Sequence, residues 1–469
     1  MLQQFTVSNF RAFREVQILN LAASNYDKTL PGNCIERELP GLKNARWLKG
    51  IALYGPNAGG KSTLIDALKA FSQMVTQSAK ATDPKDAIQE IQPFALMTDK
   101  PAEPTGFGIV FVSDGVRYEY RVAAMRERIW HESLRAFPNA KEQLWFSRDW
   151  QPERQAYEWT PEKPVGYRRD SKMVEFTLPN VLFLSKAISL GDTQLEPVFR
   201  WFKNGLVFKD LSTRTPEIDT EFTAEQFEKA TPLAPRILEL LRHADLGVAN
   251  VRVSEGRYES PWTELFKTWK IKTQSRDLGK TPQSGLAEAH HDKSPEDMYK
   301  WVFKMPLRVE LAHHSRSNVP VPLPWETESA GTHRLFALAG PWLDLLEKGH
   351  TVCIDELDTS MHPLMVMALL RLLFNDETNP KGAQVIFTTH NPLLLDSSLI
   401  RRDQVWFADK DDHGEAHLYP MTDFAPRKGE SLVRGYLAGR YGAVPFIPEG
   451  LLGSFHSPAS EKEGGSDER

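Results

Sequence analysis

The chain has 469 residues, 41% of them hydrophobic, which is enough apolar material for a sizeable core and enough length for roughly two to four domains. Its 57 basic and 62 acidic residues leave a net charge of −5, which argues against a globally basic nucleic-acid binder while leaving room for a local basic face. Two distant cysteines, Cys34 and Cys353, make neither a disulfide framework nor a zinc site, and with no signal-peptide pattern and no apolar run of membrane-spanning length the chain reads as a soluble cytoplasmic protein.

In chain order, Phe5 to Val7 alternate as a strand, and Val16, Ile18 and Leu21 suggest a second, together an edge hairpin. Residues 22–48 read as a polar loop. Ile51-Ala52-Leu53-Tyr54 is a buried strand that runs into Gly55-Pro56-Asn57-Ala58-Gly59-Gly60-Lys61-Ser62, followed by Thr63. This fits the phosphate-binding pattern G-x-x-x-x-G-K-[ST], and Thr63 to Met74 follow at helical spacing. Strand, glycine loop and helix form the arrangement in which backbone N–H groups and a helix N-terminus cradle phosphates. Lys61 then reaches the β/γ-phosphates and Ser62 ligates Mg²⁺; Asn57, Ala58, Gly59, Gly60 and Thr63 complete the ATP contacts. Gln92 is a polar turn residue that precedes a strand-rich segment. Phe107 to Phe111 and Val116 to Val122 alternate around an Asp114-Gly115 turn, which predicts an antiparallel sheet beside the nucleotide site.

Residues 1–180 are thus expected to form the first lobe of a nucleotide-binding head, and residues 181–300 a mainly helical insertion. The insertion contains a polar stretch at about 270–297 that reads as a mobile loop. His290-His291 and His313-His314 lack a third ligand at useful spacing and read as ordinary polar residues. Residues 301–447 return to the head: Leu307, Val309 and Leu311 alternate as a strand. Glu328 to Thr332 form a small-residue turn that opens a helix to Lys348. Thr351 to Ile354 are a buried strand ending in Asp355-Glu356, and Gln384 to Phe387 another ending in Thr388-Thr389-His390. Residues 448–469 read as a disordered tail.

A phosphate loop needs a carboxylate for Mg²⁺ and a group that polarises the attacking water. Asp355 is the candidate for the first role and Glu356 for the second, at the end of a strand expected beside the phosphate-loop strand. Two solvated acids at a strand end are the bland alternative; the apolar run before them and the phosphate loop upstream favour the functional one.

With these residues in view the sequence resembles the ABC-type ATPases of the RecF, SMC and OLD group. Asp355-Glu356 resembles their Walker B pair, Ser329-Ala330-Gly331-Thr332 a shortened signature, Leu357-Asp358 the D-loop, and His390 the switch histidine. The opening FTVSNFRAF resembles the start of RecF- and SMC-like heads and places Arg11 among the ATP contacts. The resemblance implies an α/β fold: a head with a mixed central sheet and an antiparallel β-subdomain, split by an insertion, here without a long coiled coil. It implies ATP and Mg²⁺ as cofactors, Glu356 and His390 as the catalytic pair, Ser329, Gly331 and Asp358 as ATP contacts, and Gln92 as a Q-loop residue and further candidate for the metal. ESAGTHR, IDELDTSMHP, TTHNPLLLD and GRYGAVPFI resemble overcoming-lysogenization-defect-like ATPases of anti-phage defence, among them the ATPase subunit of the PARIS systems.

That resemblance implies a homodimer or higher homo-oligomer that controls a partner effector, a Toprim-type nuclease or other toxin, with a phage protein as trigger and no membrane. The alternative is a RecF/SMC-like DNA repair or recombination ATPase that binds DNA across dimerised heads. The few residues after Pro445 are too short for a nuclease domain.

Overall fold

The structure is a computed structural model that describes residues 1–42, 44–96, 103–210, 217–244, 247–255, 307–316, 319–426 and 429–445. The polar loop expected at about 270–297 and the tail at 448–469 lie outside the described residues. The chain divides into two compact units. The first comprises Met1–Ser212, Gly349–Asp358 and Met367–Arg469; the second comprises Thr213–Lys348 and Thr359–Val366.

The first unit is built on a central sheet of β5 (Gly50–Tyr54), β11 (Leu206–Asp210), β15 (Thr351–Asp355), β16 (Gln384–Thr388), β17 (Val405–Lys410) and β18 (Ala416–Pro420). Their order is β11-β15-β16-β5-β17-β18, parallel except for β18, which returns antiparallel to β17. Every residue of β5 and β16 is buried, which explains why these strands read as unbroken apolar runs rather than alternating ones. Two placements differ from expectation. The strand ending in Asp355 is not beside the phosphate-loop strand, because β16 lies between them. Leu206–Asp210, within the stretch expected to be a helical insertion, pairs in parallel with β15 and extends the central sheet.

The second sheet of this unit is antiparallel. It contains β1 (Leu2–Ser8), β2 (Gln17–Asn20), β6 (Thr105–Ser113), β7 (Val116–Ala124), β8 (Ile129–Phe137), β9 (Gln143–Gln151) and β10 (Ala156–Thr160), in the order β10-β9-β8-β7-β6-β1-β2. Asp114 and Gly115 both have positive φ, 49° and 77°, as the expected two-residue hairpin turn requires. β1 pairs with β6 as well as β2, so of the expected edge hairpin β2 alone lies at an edge of the sheet. The loop expected at 22–48 contains a small ribbon of β3 (Cys34–Glu36) and β4 (Arg46–Leu48).

Helix α1 (Lys61–Gln77) joins the two sheets. Its Phe71 stacks between Phe107 and Tyr120 of the antiparallel sheet at 5.2 and 5.6 Å, and its Leu64 and Leu68 are buried in the same core. Shorter helices α2 (Ser171–Glu175), α3 (Phe183–Ser189) and α4 (Glu196–Arg200) follow the antiparallel sheet, and α8 (Pro363–Phe374) and α9 (Leu432–Leu437) come later in the chain. The second unit contains α5 (Glu217–Glu228), α6 (Leu233–His243), α7 (Ala330–Lys348) and a sheet ordered β12-β13-β14 (Val248–Glu255, Leu307–His313, Val321–Pro324). Here α5 meets α7 closely: a Cβ on Gly340 would lie 2.6 Å from Thr223 Oγ1. No coiled coil occurs among the described residues.

One buried ion pair fixes α1 from behind. Arg148 and Glu132 have side chains 1% and 0% exposed and are 2.8 Å apart. Glu132 also accepts from the Tyr120 hydroxyl at 2.9 Å and from Phe183 N and Leu184 N at 2.8 and 3.0 Å. Arg148 Nη2 donates to the Val181 carbonyl at 2.5 Å. The carboxylate therefore ties β7 and β9 to the start of α3, and Ser185 Oγ of α3 donates to Val75 O of α1 at 2.6 Å. Removing one charge from such a pair leaves the other buried without compensation. Glu132→Gln is expected to destabilise the first unit by about 3–5 kcal/mol, read as a lower urea midpoint; an unchanged midpoint would show that this network adds nothing to the stability.

Candidate functional site

The phosphate loop joins β5 to α1 and lies against the last two strands of the central sheet. A Cβ on Gly55 would lie 2.1 Å from the Ala408 carbonyl of β17, and one on Gly59 would lie 2.7 Å from the same oxygen. Gly60 has φ 104° and is the N-cap of α1, with no side chain capping the helix. The first-turn N–H groups of α1 thus have no side-chain acceptor, which is the arrangement a phosphate satisfies. Asn57, Ala58 and Ser62 are exposed, Thr63 is half-buried, and Gly59, Gly60 and Lys61 are buried. Lys61 Nζ turns back on the loop and donates to the Gly55 and Pro56 carbonyls, both at 2.9 Å. Burial lowers the pKa of this amine, while the charges of Asp355, Glu356 and Asp358 oppose the shift.

Those acids come from the end of β15. Asp355 is its last residue, and Glu356 follows with a positive φ of 53°. That conformation costs a side chain of this kind about 1–3 kcal/mol and persists only where the surroundings enforce it. Thr388, at the end of β16, supplies the enforcement. Its hydroxyl donates to Asp355 Oδ1 at 2.6 Å and accepts from Glu356 N at 2.7 Å, and its carbonyl accepts from Leu357 N at 3.1 Å. One hydroxyl thus aims the carboxylate and bends the chain at the glutamate. His390, two residues on, is exposed on one side; burial of the rest, and then the charge of Lys61, pull its pKa below the ordinary histidine value, so the neutral imidazole is favoured. The expected candidates Lys61, Asp355, Glu356, Asp358 and His390 therefore share one electrostatic neighbourhood within the first unit.

Mg²⁺ prefers hard oxygen donors and retains part of its water shell. Ser62 offers a hydroxyl in the first turn of α1. Asp355 offers a carboxylate of which Thr388 occupies one oxygen, leaving acceptor capacity on the other. This donor set fits the ion.

Arg11 and Gln92 meet each other. Arg11 N donates to Gln92 O and Arg11 Nε to Gln92 Oε1, both at 2.7 Å, while Arg11 Nη1 pairs with Asp66 of α1. Burial and then the charge of Asp355 raise the pKa of Asp66, and Arg11 opposes this. These three residues border a cleft of about 280 Å³ that Lys69 and Gln73 also line. Gln92 is thus engaged by an arginine in this structure rather than by the expected metal ligands.

The residues expected to form the signature turn, Ser329 to Thr332, belong to the second unit. Ser329 precedes α7, and its Oγ accepts from Thr332 N at 3.1 Å, an N-cap at the third helical position. A Cβ on Gly331 would lie 3.1 Å from the Ser360 carbonyl. Trp325 stacks on His333 at 4.2 Å, and His333 Nε2 bonds the Trp325 carbonyl at 2.7 Å, which folds the turn before Ser329 onto the helix.

Sequence reasoning missed Thr388, Asp66 and the role of Ala408. Only Thr388 had a legible signal: a polar residue ending the fully apolar run Val385 to Phe387.

Solved structures that the chain matches include an SMC head bound to the C-winged helix domain of ScpA (14% identity, TM-score 0.42, 89% of this chain and 96% of that chain covered). The SMC head domain from Thermotoga maritima is also similar (13%, 0.34, 89% and 98%). So is an Smc head domain with an extended coiled coil bound to the C-terminal domain of ScpA, from Pyrococcus furiosus (14%, 0.37, 94% and 98%). No curated protein matches the chain. Residues 51–396, more than half of the chain, match the family described as "AAA domain, putative AbiEii toxin, Type IV TA system". The chain belongs to this AAA-domain family, and membership implies that it binds and hydrolyses ATP.

Proposed function

We propose that the protein is a RecF/SMC-like ATPase head that binds ATP between two copies of itself and hydrolyses it. The observation that carries this reading is the convergence of three parallel strand ends, which bring Lys61, Asp355, Glu356 and His390 into one neighbourhood beside an uncapped helix N-terminus. In the proposed cycle the loop N–H groups and α1 take the phosphates. Lys61 exchanges the Gly55 and Pro56 carbonyls for β- and γ-phosphate oxygens. Ser62 and Asp355 would hold Mg²⁺, which when bound would supply charge neutralisation on those oxygens. Glu356 accepts a proton from the attacking water, and the neutral His390 donates a hydrogen bond toward the γ-phosphate. Ser329, Gly331 and the N-terminus of α7 come from the second copy and complete the phosphate site from the other side. Asp358 lies at the junction between the copies.

In this reading DNA held across the paired heads is the substrate of the clamp. The family description names a toxin–antitoxin system, and that favours a second reading in which closure controls a separate effector, a Toprim-type nuclease or other toxin, in response to a phage protein. DNA binding followed through a salt series separates the two. The clamp reading expects affinity that falls steeply with salt, by about 10³-fold or more between 50 and 200 mM for six or more phosphate contacts. Absence of binding at low salt favours the effector.

Glu356→Gln is expected to lower ATP turnover at least ~100-fold while ATP binding persists, because only the proton acceptor is lost. Thr388→Val removes both hydroxyl bonds and is expected to lower turnover about 10-fold, roughly two net hydrogen bonds shared between ground and transition states. Steady-state phosphate release together with calorimetric ATP binding checks both; wild-type turnover by Glu356→Gln would refute the assignment.

A further inference from the structure

Tyr54 ends β5, one residue before the phosphate loop, and is fully buried. Its hydroxyl donates to the carbonyl of Asn391, the residue after His390, at 3.1 Å. The same loop is fastened to β5 a second time, through Thr389 N to the Leu53 carbonyl at 3.1 Å. Within the loop, Asn391 N donates to Thr389 Oγ1 and Asn391 Oδ1 accepts from Leu393 N, each at 3.0 Å. His390 therefore stands between two residues that are both tied to the strand feeding the phosphate loop. A phenylalanine would fill the same volume without the cost of burying a hydroxyl. The hydroxyl spends its bond on this loop.

The Tyr54 ring is braced by the C-terminal end of the unit. It stands edge-on to Tyr436 of α9 at 5.4 Å and 65°, and Tyr436 stacks on Phe407 of β17 at 5.9 Å. The Tyr436 hydroxyl donates to the Ala443 carbonyl at 3.3 Å, and Ala443 N donates to Asp409 Oδ2 at 2.9 Å. Asp409 follows Ala408, whose carbonyl lies against Gly55 and Gly59. The aromatic cluster and the floor of the phosphate loop are thus one connected set of contacts. Burial, reinforced by the charge of Asp358, holds the Tyr54 phenol well above its ordinary pKa, so it remains a neutral donor.

We propose that Tyr54 is a positioning residue for ATP hydrolysis: its hydroxyl fixes the Asn391 carbonyl and thereby the placement of His390 relative to the phosphate loop, and Tyr436 holds its ring in register. The inference rests on the ATPase reading above, with His390 as the group through which Tyr54 acts.

The test is steady-state ATP hydrolysis by the full chain carrying Tyr54→Phe, His390→Ala or both. Tyr54→Phe keeps the ring and removes only the donor. It is expected to lower kcat about 5- to 10-fold and to leave KM for ATP within about twofold, as for the loss of an interaction that matters in the transition state. The double variant is expected to be no slower than His390→Ala alone, since the hydroxyl has nothing left to position. Tyr436→Leu, which leaves the hydroxyl and removes the brace, is expected to lower kcat in the same direction, with ATP affinity retained. Unchanged kcat in Tyr54→Phe overturns the proposal. So does a double variant slowed by the product of the two single effects, which is what an independent structural role produces. A wild type without turnover overturns the ATPase reading and this inference with it, whereas the other two contrary results overturn the inference alone.

Discussion

The hydroxyl of Thr388 holds together the half of the site that lies on the central sheet. It bonds the Asp355 carboxylate and the Glu356 backbone at once, so the two adjacent acids take their directions from a single atom on the neighbouring strand. This is possible because β16 pairs directly and in parallel with β15. The chain leaving β16 runs directly into Thr389 and His390, so the segment that aims the acids also leads to the imidazole. Adjacent, opposite demands on residues 355 and 356 explain the left-handed backbone at Glu356.

The other half of the site depends on close approach. Gly55 and Gly59 lie on one carbonyl of β17, and Gly60 lies against Ala416 of β18, where an added Cβ would come within 2.7 Å. Ala416 N in turn donates to the Ala12 carbonyl at 2.8 Å, and Glu415 pairs with Arg14 at 2.5 Å. The turn after β1 that carries Arg11 is thereby docked on the same hairpin that floors the phosphate loop. Arg11, held by Asp66 and Gln92, is already beside α1. The family-level description, an ATPase of the AAA-domain family, rests on residues 51–396; the clamp, its DNA or effector partner, and the division of labour among residues are the proposals that this geometry supports.

What could be read from the sequence was what is local. The phosphate loop needs eight consecutive residues, and strand, loop and helix follow one another along the chain, so their arrangement was legible. The Asp114-Gly115 hairpin was legible for the same reason. The order of a parallel sheet is not local: nothing in Thr351 to Ile354 or Gln384 to Phe387 says which of the two borders β5, because each is one polar residue followed by an apolar run, and both are buried. Leu206–Asp210 escaped notice because a five-residue strand after helical turns has no alternation to betray it. The β3–β4 ribbon, three residues to a strand, lies below the length at which patterning says anything. Thr388 was visible as part of TTH, but its partners lie 33 and 32 residues away in sequence, and only folding reveals that it serves both acids.

The central claim is that each ATP is enclosed by the phosphate loop of one copy and the signature turn of another. Mixing two separately disabled variants tests this most directly: Lys61→Ala, which loses the phosphate loop, and Ser329→Arg, which blocks the signature turn. Each alone is expected to be inactive. In a freely exchanging equimolar mixture half the dimers are mixed, and each mixed dimer has one intact composite site, so about a quarter of wild-type turnover should return, the statistical yield for a two-fold assembly. A mixture that stays inactive while exchange of labelled subunits is demonstrated would contradict the account and place the whole site within one chain.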